Sequence, residues 1–194
     1  MVVMPRRSDS KTRMIAAARR LYRERGYVAT AFSDVLEESA APRGSVYFHF
    51  PGGKQELGTE VALLHASDTI AQINRSALRF TTAAEMVGDF IDQAKDRVLA
   101  SDFREGCPVA AIIVETASSP GPLSDTTRRG LQDVLTVFAA RMTEKGLPAE
   151  EAESLAVATI AAMEGALVVA RGLRDVAPFD VLRETLTGRA RDSL

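Results

Sequence analysis

The seventeen residues Ala41–Leu57 (APRGSVYFHFPGGKQEL) hold the densest grouping of side chains able to do chemistry in this chain. Arg43, Ser45, Tyr47 and His49 are donors on what the spacing predicts to be a short helix. Pro42 would open that helix, because the first helical N–H has no partner to lose. Val46 and Phe50, four apart, predict its buried side. Gly44 lets backbone come close to a ligand, and the Gly52-Gly53 hinge leads to Lys54 at the start of another helix. Arg and Tyr donors near a helix N-terminus suit a groove of phosphates and base edges. An ordinary surface helix with a snorkelling Arg would carry the same residues, so the stretch by itself leaves both readings open.

The elements that must position it come next. Thr30 is placed to cap a helix from about residue 31 to 39, with Asp34 and Val35 in its first turns. Ala40 and Ala41 leave only a tight turn before Pro42. Two short helices joined this closely predict a helix-turn-helix, the second being the recognition helix. Upstream, a helix from Ser10 would place Ile15, Ala18, Leu21 and Tyr22 on one face and Lys11, Arg13, Arg19, Arg20 and Arg23 on the other, ending at Gly26. That predicts a three-helix head with positive charge on its nucleic-acid side. Pro5, Arg6 and Arg7 form a basic tail that either reaches DNA or is merely solvated.

Gly26-Tyr27, Thr30, the run Arg43-Gly44-Ser45-Val46-Tyr47-Phe48-His49-Phe50, then Lys54 and Leu57 resemble the DNA-binding domain of the TetR family of transcriptional regulators. The resemblance spans roughly residues 10 to 58. It implies DNA contacts from Thr30, Arg43, Gly44, Ser45, Tyr47, His49 and Lys54. Two departures stand out. The family usually has Ala-Gly-hydrophobic in the turn, where this chain has Ser39, Ala40 and Ala41. It also usually has two residues between the Phe and the Lys, where Pro51, Gly52 and Gly53 separate Phe50 from Lys54. That Pro-Gly-Gly variant, with Gly106-Cys107-Pro108-Val109 further on, is similar to the LmrA/YxaF-like branch.

Composition sets the limits. The 194 residues are 46% hydrophobic and 26% charged, enough for a substantial core and outside the disordered class. Trp is absent, alanine abundant and β-branched alternation scarce, which predicts an all-α fold. The net charge of −2 hides a split: residues 1–58 hold 10 Lys/Arg against 6 Asp/Glu, and residues 59–194 hold 14 against 20. Only the basic end needs to meet phosphates. No apolar run approaches a membrane span in length, which predicts no transmembrane helix, and the start lacks a signal peptide's apolar core. One cysteine fits a reducing cytoplasm.

A boundary at 53/54 would divide an N-terminal three-helix DNA-binding domain (1–53) from a C-terminal helical bundle for ligand binding and dimerisation (54–194). Leu57, Val61, Leu64, Ile70, Ile73 and Leu78 predict a rod about 38 Å long from Gly53-Lys54 to Arg79. His65 on it has no second ligand at metal spacing and reads as structural or as a lining residue. Thr81 or Thr82 would cap the next helix, with Glu85 at the offset for a capping box if Thr82 is the cap, ahead of Met86, Val87, Phe90, Ile91, Ala94 and Val98. Pro108 starts a nearly all-apolar helix that belongs in the centre of a bundle, with Glu115 either facing the interior or on an edge. Leu131, Val134, Leu135, Phe138 and Met142 mark the next helix. Leu155, Ala158, Ala162, Ala166 and Val169, with Gly165 between, stripe a long one starting at Glu150. Pro178 to about Arg191 is a final helix packed on the outside. The resemblance implies that two late helices pair with their copies in a homodimer, although packing within one chain would use the same residues.

Catalysis finds little support. Cys107 sits at a helix start, where a thiol pKa falls, yet no His lies near it in sequence. No phosphate loop, His-Glu metal pattern or nucleophile elbow appears. The expectation is a TetR-type regulator, a repressor without cofactor or metal. It would read an inverted-repeat operator as a dimer and be released by a small, largely apolar effector. The effector would lie among Met86, Phe90, Phe103, Cys107, Ile112, Ile113, Glu115, Phe138 and Met142, residues that serve equally as plain core. A helical ligand-binding protein without specific DNA binding is the alternative, and it leaves the basic head unexplained.

Overall fold

A computed structural model describes residues 7–118 and 120–193, leaving aside the side chains of residues 7–9 and 45. Every regular element among them is an α-helix. In order these are α1 (Arg7–Arg25), α2 (Phe32–Ser39), α3 (Ser45–His49), α4 (Gly53–Arg79), α5 (Ala83–Ala100), α6 (Pro108–Thr116), α7 (Pro122–Glu144), α8 (Ala149–Leu173) and α9 (Ala177–Asp192). The basic tail lies outside the described residues at Pro5 and Arg6; Arg7 is the first residue of α1.

The chain divides into two compact units: Met1–His65 with Cys107–Arg129, and Ala66–Gly106 with Gly130–Leu194. This differs from a cut at 53/54. The first half of α4, all of α6 and the start of α7 belong with α1–α3.

The first unit has one core. Met14, Leu21 and Tyr22 of α1 meet Val35 of α2, Val46 of α3 and Phe50 at its end, Leu57 and Val61 of α4, Ile112 of α6 and Leu123 of α7. Phe50, Leu57, Val61 and Ile112 are each 1% exposed or less, and burial of such a side chain stabilises by about 1.5–3 kcal/mol. Tyr22 and Tyr27 stack edge to face, 5.3 Å between centroids, and burial pushes both phenols up in pKa. Gly58 lets α4 approach this pair: a Cβ there would stand 3.0 Å from Tyr27 and 3.2 Å from Leu123.

Contrary to the expectation from its composition, α6 does not lie in the centre of a bundle. Only Pro108 and Ile112 of α6 are buried, and Val114 is 78% exposed. A nine-residue helix laid on α1 has one face to spend, whatever its composition.

In the second unit, Ile73, Met86, Phe90, Ile91, Val98, Phe138, Met142, Leu155, Met163 and Phe179 share a core. The predicted capping box opens α5: the Glu85 amide donates to Thr82 Oγ1, and the Glu85 carboxylate accepts from the Thr82 amide. The Thr82 hydroxyl, which also donates to that carboxylate, and the Thr82 amide hold the Glu85 carboxyl below its usual pKa. The face that α8 buries is Ala152, Leu155, Ala156, Thr159, Met163, Ala166 and Ala170, rotated from the predicted stripe so that Gly165 and Val169 are exposed. The last helix lays one buried stripe on the unit and leaves its other side exposed. α9 packs on α5 and α8 and sinks Phe179 completely, while Val181 points out.

The expected absence of a long apolar helix is also corrected. α8 runs 25 residues with a mean hydropathy of 1.6 in its most apolar window, long and apolar enough by length and composition to cross a membrane. Alanines and valines dense between charged ends produce that value, and its inner face is spent in the unit's core.

Candidate nucleic-acid interface

The α2–α3 pair departs locally from what the sequence predicts. Thr30 does not cap α2. It is buried, and its hydroxyl donates to the Gly26 carbonyl at 2.8 Å, pinning the turn after α1. Ala31 takes the cap position, and its amide donates to the Asp34 carboxylate at 2.9 Å. α2 ends in a Schellman arrangement: Ala40 N–H donates to the Glu37 carbonyl and Ala41 N–H to the Leu36 carbonyl, both at 3.2 Å. This requires a left-handed residue, and Ala40 adopts it with φ 50° and ψ 35°.

Pro42 and Arg43 remain in the turn rather than opening a helix; α3 begins at Ser45 with Gly44 before it. Proline is tolerated in a first turn but does not compel one. The five-residue helix closes with Phe50 N–H donating to the Val46 carbonyl at 2.7 Å.

The faces of α3 are as its spacing predicts. Val46 and Phe50 are buried, Tyr47 is 84% exposed, and Arg43 and Gly44 are exposed beside it. Ser45 lies in α3, its side chain outside the described set. His49 is half-buried with Nε2 in hydrogen-bond contact with Ser10 Oγ at 2.7 Å, which fixes α3 against α1. Several basic side chains of α1 are paired within the unit. Lys11 pairs with Glu60, Arg20 with Glu38 and Glu24, and Arg25 with Asp34.

Lys54, expected on a phosphate, sits at the start of α4 with Nζ donating to the Val28 carbonyl at 2.9 Å and 4.7 Å above the Tyr27 ring. Burial lowers its pKa, opposed by the nearby Glu115 and Asp34 carboxylates. Glu115, reaching from α6, accepts from the Val28 amide at 2.5 Å. Its other oxygen would lie 2.5 Å from any Cβ at Gly26, where φ is +90°. So the turn that launches α2 is gripped from two helices. Sequence reading missed Glu115 in this role, because no local signal links residues 87 apart.

This geometry, a short helix exposed on one side and joined to α2 across a left-handed turn, can be compared with known proteins. Residues 14–61 match the model described as bacterial regulatory proteins, tetR family, and residues 83–185 match the LmrA/YxaF-like transcriptional regulator C-terminal domain. An uncharacterised HTH-type transcriptional regulator of Mycobacterium tuberculosis is 37% identical over 185 residues, 91% of each chain. The chain belongs to the TetR family of transcriptional regulators, in its LmrA/YxaF-like branch. The HTH-type transcriptional regulator LmrA of Bacillus subtilis is 27% identical, with 88% of this chain and 91% of that one aligned. In fold, a TetR transcriptional regulator from Legionella pneumophila has a TM-score of 0.85 at 22% identity, over 97% of this chain and all of that one (100%).

As a TetR-family DNA-binding head, the first unit accounts for both departures of its motif. Ala40 occupies the left-handed position where the family usually has glycine. In the longer Pro51-Gly52-Gly53 turn, Gly53 takes φ +68° and the Gly52 amide donates to the Glu56 carboxylate at 2.7 Å.

The residues expected around an effector do not form one group. Met86, Phe90, Phe138 and Met142 are buried together in the second unit, Phe90 and Phe138 with centroids 5.0 Å apart. Phe103 packs partly buried against the same core. Ile112 instead belongs to the core of the DNA-binding unit, and Glu115 is exposed and engaged with Val28. Cys107 caps α6 through Sγ, which accepts from the Ala110 amide at 3.4 Å, and lies 3.7 Å from His65 Nε2. The sequence distance between Cys107 and His65 concealed this neighbour. Among the described residues, no three His, Cys, Asp or Glu side chains gather as a metal site.

Proposed function

We propose that this TetR-family regulator is a cytoplasmic repressor that binds an inverted-repeat operator as a homodimer and leaves it when a small, largely apolar effector binds. The observation that carries the reading is the pairing of a buried Val46–Phe50 seat with an exposed Tyr47 on α3 and an exposed Arg43 in the turn before it. A five-residue helix held so firmly, and left so open on its other side, is placed for the major groove. Arg43 and Ser45 read base edges or nearby phosphates, with Gly44 admitting the backbone; Tyr47 and His49 meet phosphates on either side. Lys54 joins them when it exchanges the Val28 carbonyl for a phosphate.

The effector is taken up in the second unit among Met86, Phe90, Phe103, Phe138 and Met142, where thioether and aromatic side chains rearrange at low cost. It shifts the population only by binding the DNA-incompetent state better. The test is fluorescence anisotropy on DNA upstream of the protein's own gene, at two salt concentrations, against scrambled competitor. Tight, competitor-resistant and salt-dependent binding supports the reading. Equal binding to both DNAs would remove operator specificity from it, and candidate effectors are then scored by release.

A further inference from the structure

α3 carries an aromatic side chain that the proposed contacts leave unused. Phe48 is 68% exposed, its ring edge-on to His49 with centroids 5.0 Å apart. Successive residues of a helix turn by about 100°, so Phe48 projects about 180° from the midpoint of Val46 and Phe50. Tyr47 and His49 lie about 80° to either side of that seat. With the buried face fixed against the unit's core, Phe48 therefore stands on the crest of α3, opposite that seat. A helix entering a groove offers its flanks to the two phosphate strands and its crest to the bases.

The chemistry narrows the target. A phenyl ring has no donor for a phosphate and none for a base edge. What a major groove offers a hydrocarbon is the 5-methyl group of thymine, absent from the other three bases. We infer that Phe48 is a specificity-determining residue whose ring packs on a thymine methyl in each half-site. This rests on the docking of α3 proposed above.

The experiment uses the full-length protein and a duplex enriched by it from a random pool. Each thymine is replaced in turn by deoxyuridine, which removes only the methyl, and binding is read by anisotropy for wild type, Phe48→Ala and Phe48→Leu. Wild type is expected to lose about fourfold at one thymine per half-site, the worth of one buried methyl. Phe48→Ala should be weaker on the thymine duplex and indifferent to uracil at that position, and Phe48→Leu should keep part of the discrimination. Since the side chain is largely exposed and its ring contact is to His49 on the same helix, both variants should keep the fold, as read by circular dichroism. A wild type indifferent to every replacement, or a Phe48→Ala variant as sensitive as wild type, overturns the inference while leaving operator binding intact. Failure to enrich any duplex overturns the operator reading as well.

Discussion

The carboxylate of Glu115 accepts from the Val28 amide at 2.5 Å while Lys54 Nζ donates to the carbonyl of the same residue at 2.9 Å. One residue of the α1–α2 turn is thus held at both its polar atoms, from α6 and from α4. Glu115→Ala is expected to destabilise the DNA-binding unit by about 1 kcal/mol, as loss of a single hydrogen bond does. The Val28 amide should then exchange with solvent faster by at least about tenfold. Unchanged exchange at Val28 would mean the contact is incidental. Gly26→Ala offers a second check: its steric conflict with Glu115 should ease in the double variant, while the strain of φ +90° remains.

Ala40 bears a cost its position makes plain. An L-residue in the left-handed region is disfavoured by about 1–2 kcal/mol, and glycine's looser unfolded chain gives back part of any relief. Ala40→Gly should therefore raise stability by about 0.5–1 kcal/mol, with the Schellman bonds to Glu37 and Leu36 retained. Ala40→Val should do the reverse, since branching at Cβ worsens the clash. A thermal melt of the three proteins decides it; a glycine variant that melts lower than wild type would contradict the assigned geometry.

On α3, exposure and chemistry separate two kinds of loss. Tyr47 is 84% exposed, so Tyr47→Ala should leave the melting temperature within about 1 °C and weaken DNA binding alike on all sequences. Arg43→Ala should cost about 1–3 kcal/mol and relax specificity at one base pair if Arg43 reads a base. A uniform loss, with the salt slope falling by about 0.9, would make it a phosphate contact instead.

What was legible follows from range. Caps and periodic faces depend on neighbours within a turn, so the Thr82–Glu85 box, the Val46–Phe50 seat and the glycine stop at Gly26 are readable from spacing. Thr30 misled because a buried hydroxyl bonding backward to Gly26 looks, in sequence, like a cap facing forward. Glu115, Ile112 and Cys107 misled for a different reason. Their helix is apolar enough for either core, and which core it joins is decided by contacts 42 to 87 residues away. The rotation of α8's buried face was hidden because alanine serves inner and outer positions equally.

That two-sidedness of α8 supports the last prediction. Its inner face is consumed by the second unit's core, yet Val157, Ala161, Gly165, Val168 and Gly172 form an exposed stripe at spacings of three, four and seven. A Cβ at Gly165 or Gly172 would meet nothing within 4 Å, so neither glycine is there to make room inside the chain. Small residues on an outer face suit close approach by another helix, and the proposed homodimer supplies one. Val168, 71% exposed in the single chain, would then be buried, and Val168→Glu would force an unpaired charge into the seam. The expected outcome is a dissociation constant raised by about 100-fold or more, with operator binding lost alongside and the fold unchanged by circular dichroism. Sedimentation velocity reads this directly. A variant that sediments as wild type does at micromolar concentration would remove α8 from the interface, whereas a wild type that is itself monomeric would remove the dimer.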